Sequence, residues 1–386
     1  MTRAGAPRSG VDRRLVPVAG TLVTLGLFIG IWTVVTPEIE AALGGGPGRL
    51  GLVLTGALVV AAAMNTVGGA LAERRGTSAA LRLTLAWWAV ALAVGTVAPA
   101  PWGVALGIVV ALSGSGAVDV VANVGATAAL ADRPGHLVRF HALFNIGGAF
   151  GAVVAAALLG LTGAVGWRLA WAAAAVFVVV ALVLSLGADL PAGHPGEKVR
   201  LSEGMRTLHR ERLIPVALAF ALGATVEGGV NTWGVLQLRG QLDAGLVVGA
   251  GGAVLGYLIA AVARLSVSRV QTAAGARRVV AAGTVVAGCG LVVLATVTVP
   301  VAAAAGLVMA AGGISVCWPL LMSEVGRGRE RPGMVVGAVS TVGYLGAIVG
   351  PGAIGLVAGA FGLSTGLLVL AVGAFGIPLL LRTGRR

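Results

Sequence analysis

The sequence predicts an all-α membrane protein with twelve transmembrane helices arranged as two bundles of six. About twelve long apolar stretches run through the 386 residues, of which 58% are hydrophobic and 11% are charged. Each stretch has about 20 residues, enough to cross a bilayer at about 1.5 Å per residue. Of the 27 basic residues, 24 fall in alternate gaps between these stretches. Short sequence patterns of the first half also recur in the second half.

Composition excludes several classes of protein. A soluble domain would need more charge on its surface than this chain carries. The net charge of +13 is spread over short loops, which favours a role in membrane orientation over binding of nucleic acid. The two cysteines lie in apolar stretches and the four histidines lack metal-ligand spacing. We therefore expect no disulfide framework, no metal site and no cofactor.

The apolar stretches give the spans in chain order. The first, from Leu15 to about Val35, is longer than the core of a signal peptide, so we interpret it as a transmembrane helix. In the first half we expect spans at 15–36, 51–72, 79–98, 102–127, 140–162 and 168–188. In the second half we expect spans at 213–236, 245–265, 279–299, 301–323, 334–357 and 366–381.

The basic residues give the spans a direction. Loops rich in Lys and Arg stay in the cytoplasm, so both termini are expected to be cytoplasmic, in a bacterial-type inner membrane. The opposite set of gaps holds three basic residues: Arg49, Arg168 and Arg239. Four tryptophans near the outer ends of spans are expected at the membrane interface, where aromatic rings are enriched: Trp32, Trp102, Trp167 and Trp233.

A polar segment divides the chain into two similar halves. We expect one six-helix bundle at 1–190, a cytoplasmic linker at 191–212 and a second bundle at 213–386. The tripeptide that begins at Gly51 recurs at Gly245, and Asp132-Arg-Pro-Gly is matched by Glu330-Arg-Pro-Gly, at nearly the same offset. Duplicated halves that face each other across a midplane site are a common plan of secondary transporters.

The loop after the second span resembles a motif of the major facilitator superfamily. The motif reads Gly-x-x-x-Asp-Arg-x-Gly-Arg-Arg, and the matching residues here are Gly69, Glu73, Arg74, Arg75 and Gly76. Thr77 and Ser78 stand where the last two basic residues would be. The resemblance covers essentially the whole chain and implies the fold of that family. It also implies that this loop holds the cytoplasmic helix ends together as a gate and does not bind substrate.

A narrower resemblance concerns one branch of that family. The segments 119–123, 140–149 and 227–233 resemble the fucose-permease-like branch of sugar/proton symporters. The Gly-Pro motif expected in the fifth span of drug/proton antiporters is missing, because 145–160 contains no proline. The resemblance implies uptake of a sugar-like solute with a proton. Proton-driven efflux of a drug-like or metabolite compound is the alternative.

Two acidic residues lie deep in apolar spans. Asp119 and Glu227 are each followed four residues later by an asparagine, Asn123 and Asn231. This spacing places each pair on one helix face, and Ser115 extends the first face by one turn. A charge at the bilayer centre costs about 2.5–3.5 kcal/mol on insertion scales. We therefore expect both acids to face the interior and to carry the coupling proton, with structural bracing as the alternative.

The sequence suggests no Lys or Arg at the depth of these acids. Without a cationic partner, burial would favour the protonated form of each carboxyl group. An anionic substrate would also lack a counter-charge, so a neutral polar solute or a cation is expected. Further candidate substrate contacts are Asn65 in the second span, and His141 and Asn145 in the fifth. The structural alternatives are interhelical packing for Asn65 and an interfacial hydrogen bond for His141. For Trp233, a role as an interface anchor is favoured over a role as a stacking platform for a sugar.

Three functional classes follow from these patterns. A proton-coupled secondary transporter of a small polar solute is favoured by the two deep acids and the gating loop. A non-transporting receptor with the same fold is the second class, and a membrane-embedded enzyme is the third. No set of His, Asp and Cys resembles a catalytic site, so we expect no enzymatic activity. The expected partners are a small-molecule substrate and the lipid bilayer, without nucleic acid, and we expect a monomer.

Overall fold

The computed structural model shows an all-helical membrane protein. It describes residues 15–99, 101–129, 134–190, 201–267, 272–326 and 332–383. Within these ranges, eleven helical stretches are long and apolar enough to cross a membrane. One of them, Ala142–Ser185, contains two helices joined by a short 3-10 turn. The predicted fold class is therefore confirmed, and both termini lie outside the described residues.

The helices correspond to the expected spans but extend beyond them at several ends. The first half contains α1 (Leu15–Leu43), α2 (Gly46–Arg75), α3 (Thr77–Val97), α4 (Trp102–Ala129), α5 (Pro134–Thr162) and α6 (Gly166–Ser185). The second half contains α8 (Ile214–Leu236), α9 (Leu246–Val267), α10 (Ala273–Thr296), α11 (Pro300–Ile314), α12 (Cys317–Gly326), α13 (Pro332–Phe361) and α14 (Leu363–Thr383). The helices α11 and α12 together form the expected tenth span. A π-helical turn, Gln237–Gln241, follows α8.

The segment between the halves contains a helix that the sequence patterns did not indicate. This helix, α7, spans Leu201–Arg210 and packs against α8 and α13. Its apolar residues Leu201, Met205 and Leu208 recur at helical spacing among polar and charged residues, so it is amphipathic. We name the two ends of the molecule by their charge. The arginine-rich end contains α7 and the α2–α3 turn, and the arginine-poor end contains the α1–α2 turn and the segment after α8.

The helices of each half pack against one another, and the halves meet through helices α1, α2 and α5 of the first half. In the first half α1 packs against α5, α6 and α4, and in the second half α8 packs against α13 and α14. Between the halves, α2 packs against α13, α5 against α9, and α1 against both α8 and α9. The helix α1 is mostly buried, so its side chains lie where a site between the halves would form.

Glycines bring α2 and α13 into close contact near the arginine-poor end. A Cβ atom added at Gly51 would lie 2.8 Å from the Cα atom of Gly355 and 3.0 Å from the carbonyl oxygen of Pro351. Gly359 lies opposite Gly48 in the same way. Small residues let helices in lipid approach closely enough for backbone packing. The two halves are therefore closed against each other at this end.

Three of the four tryptophans expected at the interface are buried in the protein. Trp32 and Trp167 are 5% and 4% exposed, and Trp233 is fully buried, so the prediction was wrong for them. Trp102 is 77% exposed and agrees with it. Position along a span does not determine the direction of a side chain. The buried rings pack within each half, as Trp167 does against Trp171 with ring centroids 5.7 Å apart.

Candidate functional site

A cavity of about 450 Å³, including the space at its mouth, lies where the two halves meet. The cavity is lined by Thr33 of α1, Phe144 and Asn145 of α5, Glu227, Val230 and Asn231 of α8, Gly252, Ala253, Gly256, Tyr257 and Ala260 of α9, and Leu307, Ala311 and Ile314 of α11. Helices of both halves thus contribute to one site.

A short chain of hydroxyl and amide groups crosses the cavity between the halves. The oxygens of Thr33 and Tyr257 are 2.8 Å apart, and the Tyr257 hydroxyl donates to Asn231 Oδ1 over 3.3 Å. Thr33 belongs to the first half and the other two residues belong to the second. Because these groups are partly buried, their hydrogen bonds replace lost contacts with water. A polar ligand at this position would compete for the same groups.

Asn145 presents a buried donor to the cavity. Its side chain is only 2% exposed, and its Nδ2 atom has no hydrogen-bond partner among the described residues. An unsatisfied buried polar group costs about 1–3 kcal/mol. Buried polar groups are otherwise almost always paired, so an unpaired one that lines a cavity indicates an unfilled contact. Asn145 is therefore suited to bind an acceptor oxygen of a ligand.

Glu227 has a basic partner, which the sequence interpretation did not expect. Arg264 Nη2 donates to Glu227 Oε1 over 2.6 Å, and the Arg264 side chain is only 8% exposed. The expectation that no Lys or Arg lies at the depth of Glu227 was wrong. The helix α9 continues to Val267 and buries Arg264 in its last turn, where the sequence had placed the residue in a loop. Pairing neutralises the net charge at this side of the cavity.

The remaining wall of the cavity is apolar. Val230, Leu307 and Ile314 line it with aliphatic side chains. Because the Glu227–Arg264 pair carries no net charge, a ligand needs no charge of its own to balance it. The arrangement can therefore hold a neutral molecule that has both hydrogen-bonding groups and apolar surface.

The second predicted acid lies apart from the cavity. Asn123 Nδ2 donates to Asp119 Oδ1 over 3.0 Å, so the expected four-residue pairing of this acid is observed. Within the described ranges, Asp119 forms no ion pair. Tyr344 of α13 lies within electrostatic reach of it. The structure thus separates Asp119 and Asn123 from Glu227 and Asn231, and the cavity contains only the second pair.

Other candidates also lie away from the cavity. Ser115 donates to the carbonyl of Leu112 in its own helix, over 3.0 Å. Asn65 is half-buried on α2 and is not among the cavity residues. The side chain of His141 lies outside the described residues. Of the asparagines and other neutral candidates, the structure places Asn145 and Asn231 at the site.

The predicted gating loop is a tight turn between α2 and α3. Gly76 has a φ angle of 82°, which favours glycine, and its amide donates to Ala72. Glu73, Arg74 and Arg75 are exposed at the end of α2, and Gly69 lies two turns before it. Contacts at this end come from Arg82, which donates to the carbonyl oxygens of Ser185 and Ala188 over 3.1 and 3.0 Å.

Sequence patterns missed three polar or charged residues of the site, namely Thr33, Tyr257 and Arg264. Thr33 carries no signal, because threonines in transmembrane helices commonly bond to their own backbone, as it does to Ile29. A signal existed for the other two. Tyr257 is one of two tyrosines in the chain, and Arg264 follows it by seven residues. Two helical turns place both on one face of α9.

Comparisons with known proteins agree with the observed fold. The family model described as the Major Facilitator Superfamily matches residues 18–351. An uncharacterised MFS-type transporter of Yersinia pestis is 26% identical over 369 residues, which are 90% of this chain and 91% of that protein.

Solved structures with the same fold include three transporters, each matched over 97% of this chain and 100% of the other. A mutant of the nucleoside transporter NupG has a TM-score of 0.73 at 12% identity. The human organic anion transporter MFSD10 has a TM-score of 0.70 at 16% identity. FucP in the outward conformation has a TM-score of 0.63 at 15% identity. At such identities the likeness establishes the fold alone.

Proposed function

Because the chain belongs to the major facilitator superfamily, we propose that it is a proton-coupled secondary transporter of a small neutral polar, sugar-like solute. The solute would cross the membrane by alternating access, with bundles 1–190 and 213–386 moving against each other around the cavity. The proton gradient would supply the energy. Uptake in symport with the proton is the direction implied by the resemblance to the fucose-permease-like branch.

The observation that carries this proposal is the composition of the cavity. Its lining comes from both halves, so rocking of the halves would open it to one side and then to the other. Asn145 offers a buried, unpaired donor, and Asn231 and Tyr257 offer groups that can exchange partners. The paired charges of Glu227 and Arg264 leave no net charge for an ionic substrate to balance.

Asp119 is the proposed main site of proton coupling. It lies in α4 away from the solute cavity, bonded to Asn123 and without an ion pair in the described part of the chain. Protonation would remove the cost of moving a charge through a state in which the interior loses water. Glu227, which carries its own counter-ion, would contribute more to solute binding than to coupling.

The arginine-rich end is the proposed cytoplasmic end, in a bacterial-type plasma membrane with both chain termini inside. In this conformation the opposite, outer end is closed by the glycine contacts of α2 and α13. The solute would then enter or leave through the cytoplasmic side. The turn formed by Gly69, Glu73, Arg74, Arg75 and Gly76 would act as part of the gate at that side.

A second candidate is proton-driven efflux of a drug-like or metabolite compound. The observation in its favour is the apolar wall of Val230, Leu307 and Ile314, which would accept a less polar molecule than a sugar. Both candidates share the cavity and the acids, and they differ in solute and direction.

Flux through purified protein in liposomes tests the proposal. Ligands are first selected by thermal shift from sugars, polyols, nucleosides, amino compounds and antibiotics, since a ligand stabilises the folded protein more as its concentration rises above its Kd. The selected solutes are then assayed with an imposed pH gradient. Accumulation of a sugar or polyol that collapses with the gradient supports symport. Accumulation driven only by the reverse gradient supports efflux, and absence of flux with every binding solute supports a receptor.

A further inference from the structure

The tenth membrane span is interrupted beside the cavity. The helix α11 ends at Ile314, which lines the cavity, and α12 begins at Cys317. In a continuous α-helix the carbonyl of Ser315 would accept from the backbone nitrogen of residue 319. That residue is Pro319, which has no N–H group. The Ser315 carbonyl therefore lacks its usual helical donor.

Arg264 donates hydrogen bonds to this carbonyl and to Glu227 at the same time. Its Nε atom donates to Ser315 O over 3.0 Å, and its Nη2 atom donates to Glu227 Oε1 over 2.6 Å. The planar guanidinium has several donors in a fixed arrangement, so one side chain can satisfy both acceptors. Because Arg264 is only 7% exposed, water competes weakly for it. One residue of α9 thus connects the cavity acid on α8 to the interruption between α11 and α12.

The helix α12 is also fixed at its other end by an ion pair. Arg277 Nε donates to Glu324 Oε1 over 2.6 Å, and Arg277 Nη1 donates to the carbonyl of Leu381 over 3.2 Å. Between these two attachments α12 has only ten residues. It packs against α8, α10 and α13. A short helix held at two points can move as a unit when one attachment is released.

We propose that Arg264 is a positioning residue that connects the state of the Glu227 carboxylate to the position of α12. When hydrogen-bond donors of a bound solute displace Arg264 from the Glu227 carboxylate, Arg264 loses one of the two contacts that orient its side chain. The bond to Ser315 O then weakens, and the inner part of the tenth span becomes free to move. This role deepens the proposed transport function and rests on it for its purpose.

Cys317, the first residue of α12, reports the movement without any solute. It is 2% exposed and its Sγ atom packs against Gly223. In a Cys289→Ala background it is the single thiol of the chain, and its rate of reaction with a maleimide measures opening at the interruption. Replacing Glu227 by Gln imitates loss of the negative charge. We expect Glu227→Gln and Arg264→Gln to raise the labelling rate about tenfold, as loss of a charged hydrogen bond predicts.

Two further variants separate positioning from simple loss of stability. Pro319→Ala restores the N–H that Ser315 O lacks, so it should make Cys317 labelling insensitive to Glu227→Gln in the double variant. Arg264→Lys keeps the charge near Glu227 but lacks the planar fork, so its labelling rate should fall between wild type and Arg264→Gln. Arg82→Gln is the matched control, because Arg82 also bonds two backbone carbonyls, but in the other half. It should leave Cys317 labelling unchanged.

The outcomes are distinct from those of the transport assay. The proposal is overturned if Glu227→Gln labels at the wild-type rate, if Pro319→Ala leaves its effect intact, or if Arg82→Gln has an equal effect. Because labelling needs no solute, absence of flux would refute the transporter proposal without altering this result. Conversely, unchanged labelling in a protein that transports would refute only the role of Arg264.

Discussion

Arg239 and Glu38 join the two halves of the protein at the arginine-poor end through a two-bond ion pair. Arg239 Nη2 and Glu38 Oε1 are 2.6 Å apart, and Nη1 lies 3.1 Å from Oε2. Nη1 also donates to the carbonyl of Val34 over 3.2 Å. The side chains are 18% and 11% exposed. A forked pair with so little exposure to water is stronger than a surface ion pair, so it stabilises closure at this end.

We therefore expect Glu38→Gln to shift the protein towards a state that is open at the arginine-poor end. Removal of one partner leaves the other charge buried without compensation, which is more costly than the pair itself. A cysteine at Thr55, on the α2 face that contacts α13, should react with an impermeant maleimide about tenfold faster in this variant. Arg49→Gln is the control, because Arg49 stacks on Trp102 within one half. An equal rise in both variants would contradict the role of the pair.

A larger side chain at the contact between Gly51 and Gly355 should prevent closure of the arginine-poor end. A Cβ atom at Gly51 would meet the backbone of Gly355 and Pro351, which cannot move aside as a flexible side chain could. Gly51→Val should therefore reduce transport by at least tenfold while solute still binds, because overpacking of this contact costs about 1–3 kcal/mol. Gly56→Ala on the same helix has open space around the added methyl group and should transport normally. Normal transport by Gly51→Val would show that the contact does not gate.

Asn145→Ala should weaken solute binding without destabilising the protein. The Nδ2 atom of Asn145 has no partner in the described part of the chain, so its removal breaks no hydrogen bond to the described residues. Loss of one hydrogen bond to a bound solute corresponds to about a tenfold rise in Kd. Isothermal titration with a solute from the thermal-shift screen measures the change. Thr162→Ala, at the exposed end of the same helix, serves as the control. Unaltered affinity in Asn145→Ala would remove this residue from the site.

Asp119→Asn should keep substrate exchange and abolish accumulation driven by a pH gradient. The amide imitates a permanently neutral carboxyl group, so the carrier could reorient with solute but could not release a proton. Glu227→Gln should impair affinity more than coupling, because Glu227 lines the cavity and Asp119 does not. Counterflow and gradient-driven uptake or efflux in the same vesicles compare both variants. Accumulation by Asp119→Asn at the wild-type rate would assign this acid a structural role.

Accessibility of single cysteines tests the proposed orientation. In a cysteine-free background, Ala41→Cys near the arginine-poor end should react with an impermeant maleimide added to intact cells. His209→Cys on α7 should react only after the membrane is opened. Both positions are exposed, and Ala41 is preferable to neighbouring Gly46, whose φ angle of 71° would strain a cysteine. The reverse labelling pattern would overturn the orientation.

The apolar stretches and basic loops of the sequence determined the class of fold. A helix that crosses a bilayer must be long and apolar, and both properties can be recognised in a contiguous segment of the sequence. The same reasoning identified both buried acids, because an acid in an apolar span is rare and costly. It also identified Asn145 and Asn231 among the candidates for the cavity, but grouped them with Asn65 and Asn123, which lie elsewhere.

The tertiary structure alone decided which of these groups meet. Arg264 lies 37 residues from Glu227 along the chain, and Arg239 lies 201 residues from Glu38. Such pairs depend on helix rotation and on how far each helix extends, which are set by packing between helices and not by hydropathy. For this reason the sequence predicted an acid without a partner, and the folded chain supplied one. The separation of Asp119 from the cavity has the same origin, since it follows from how α4 and α8 pack.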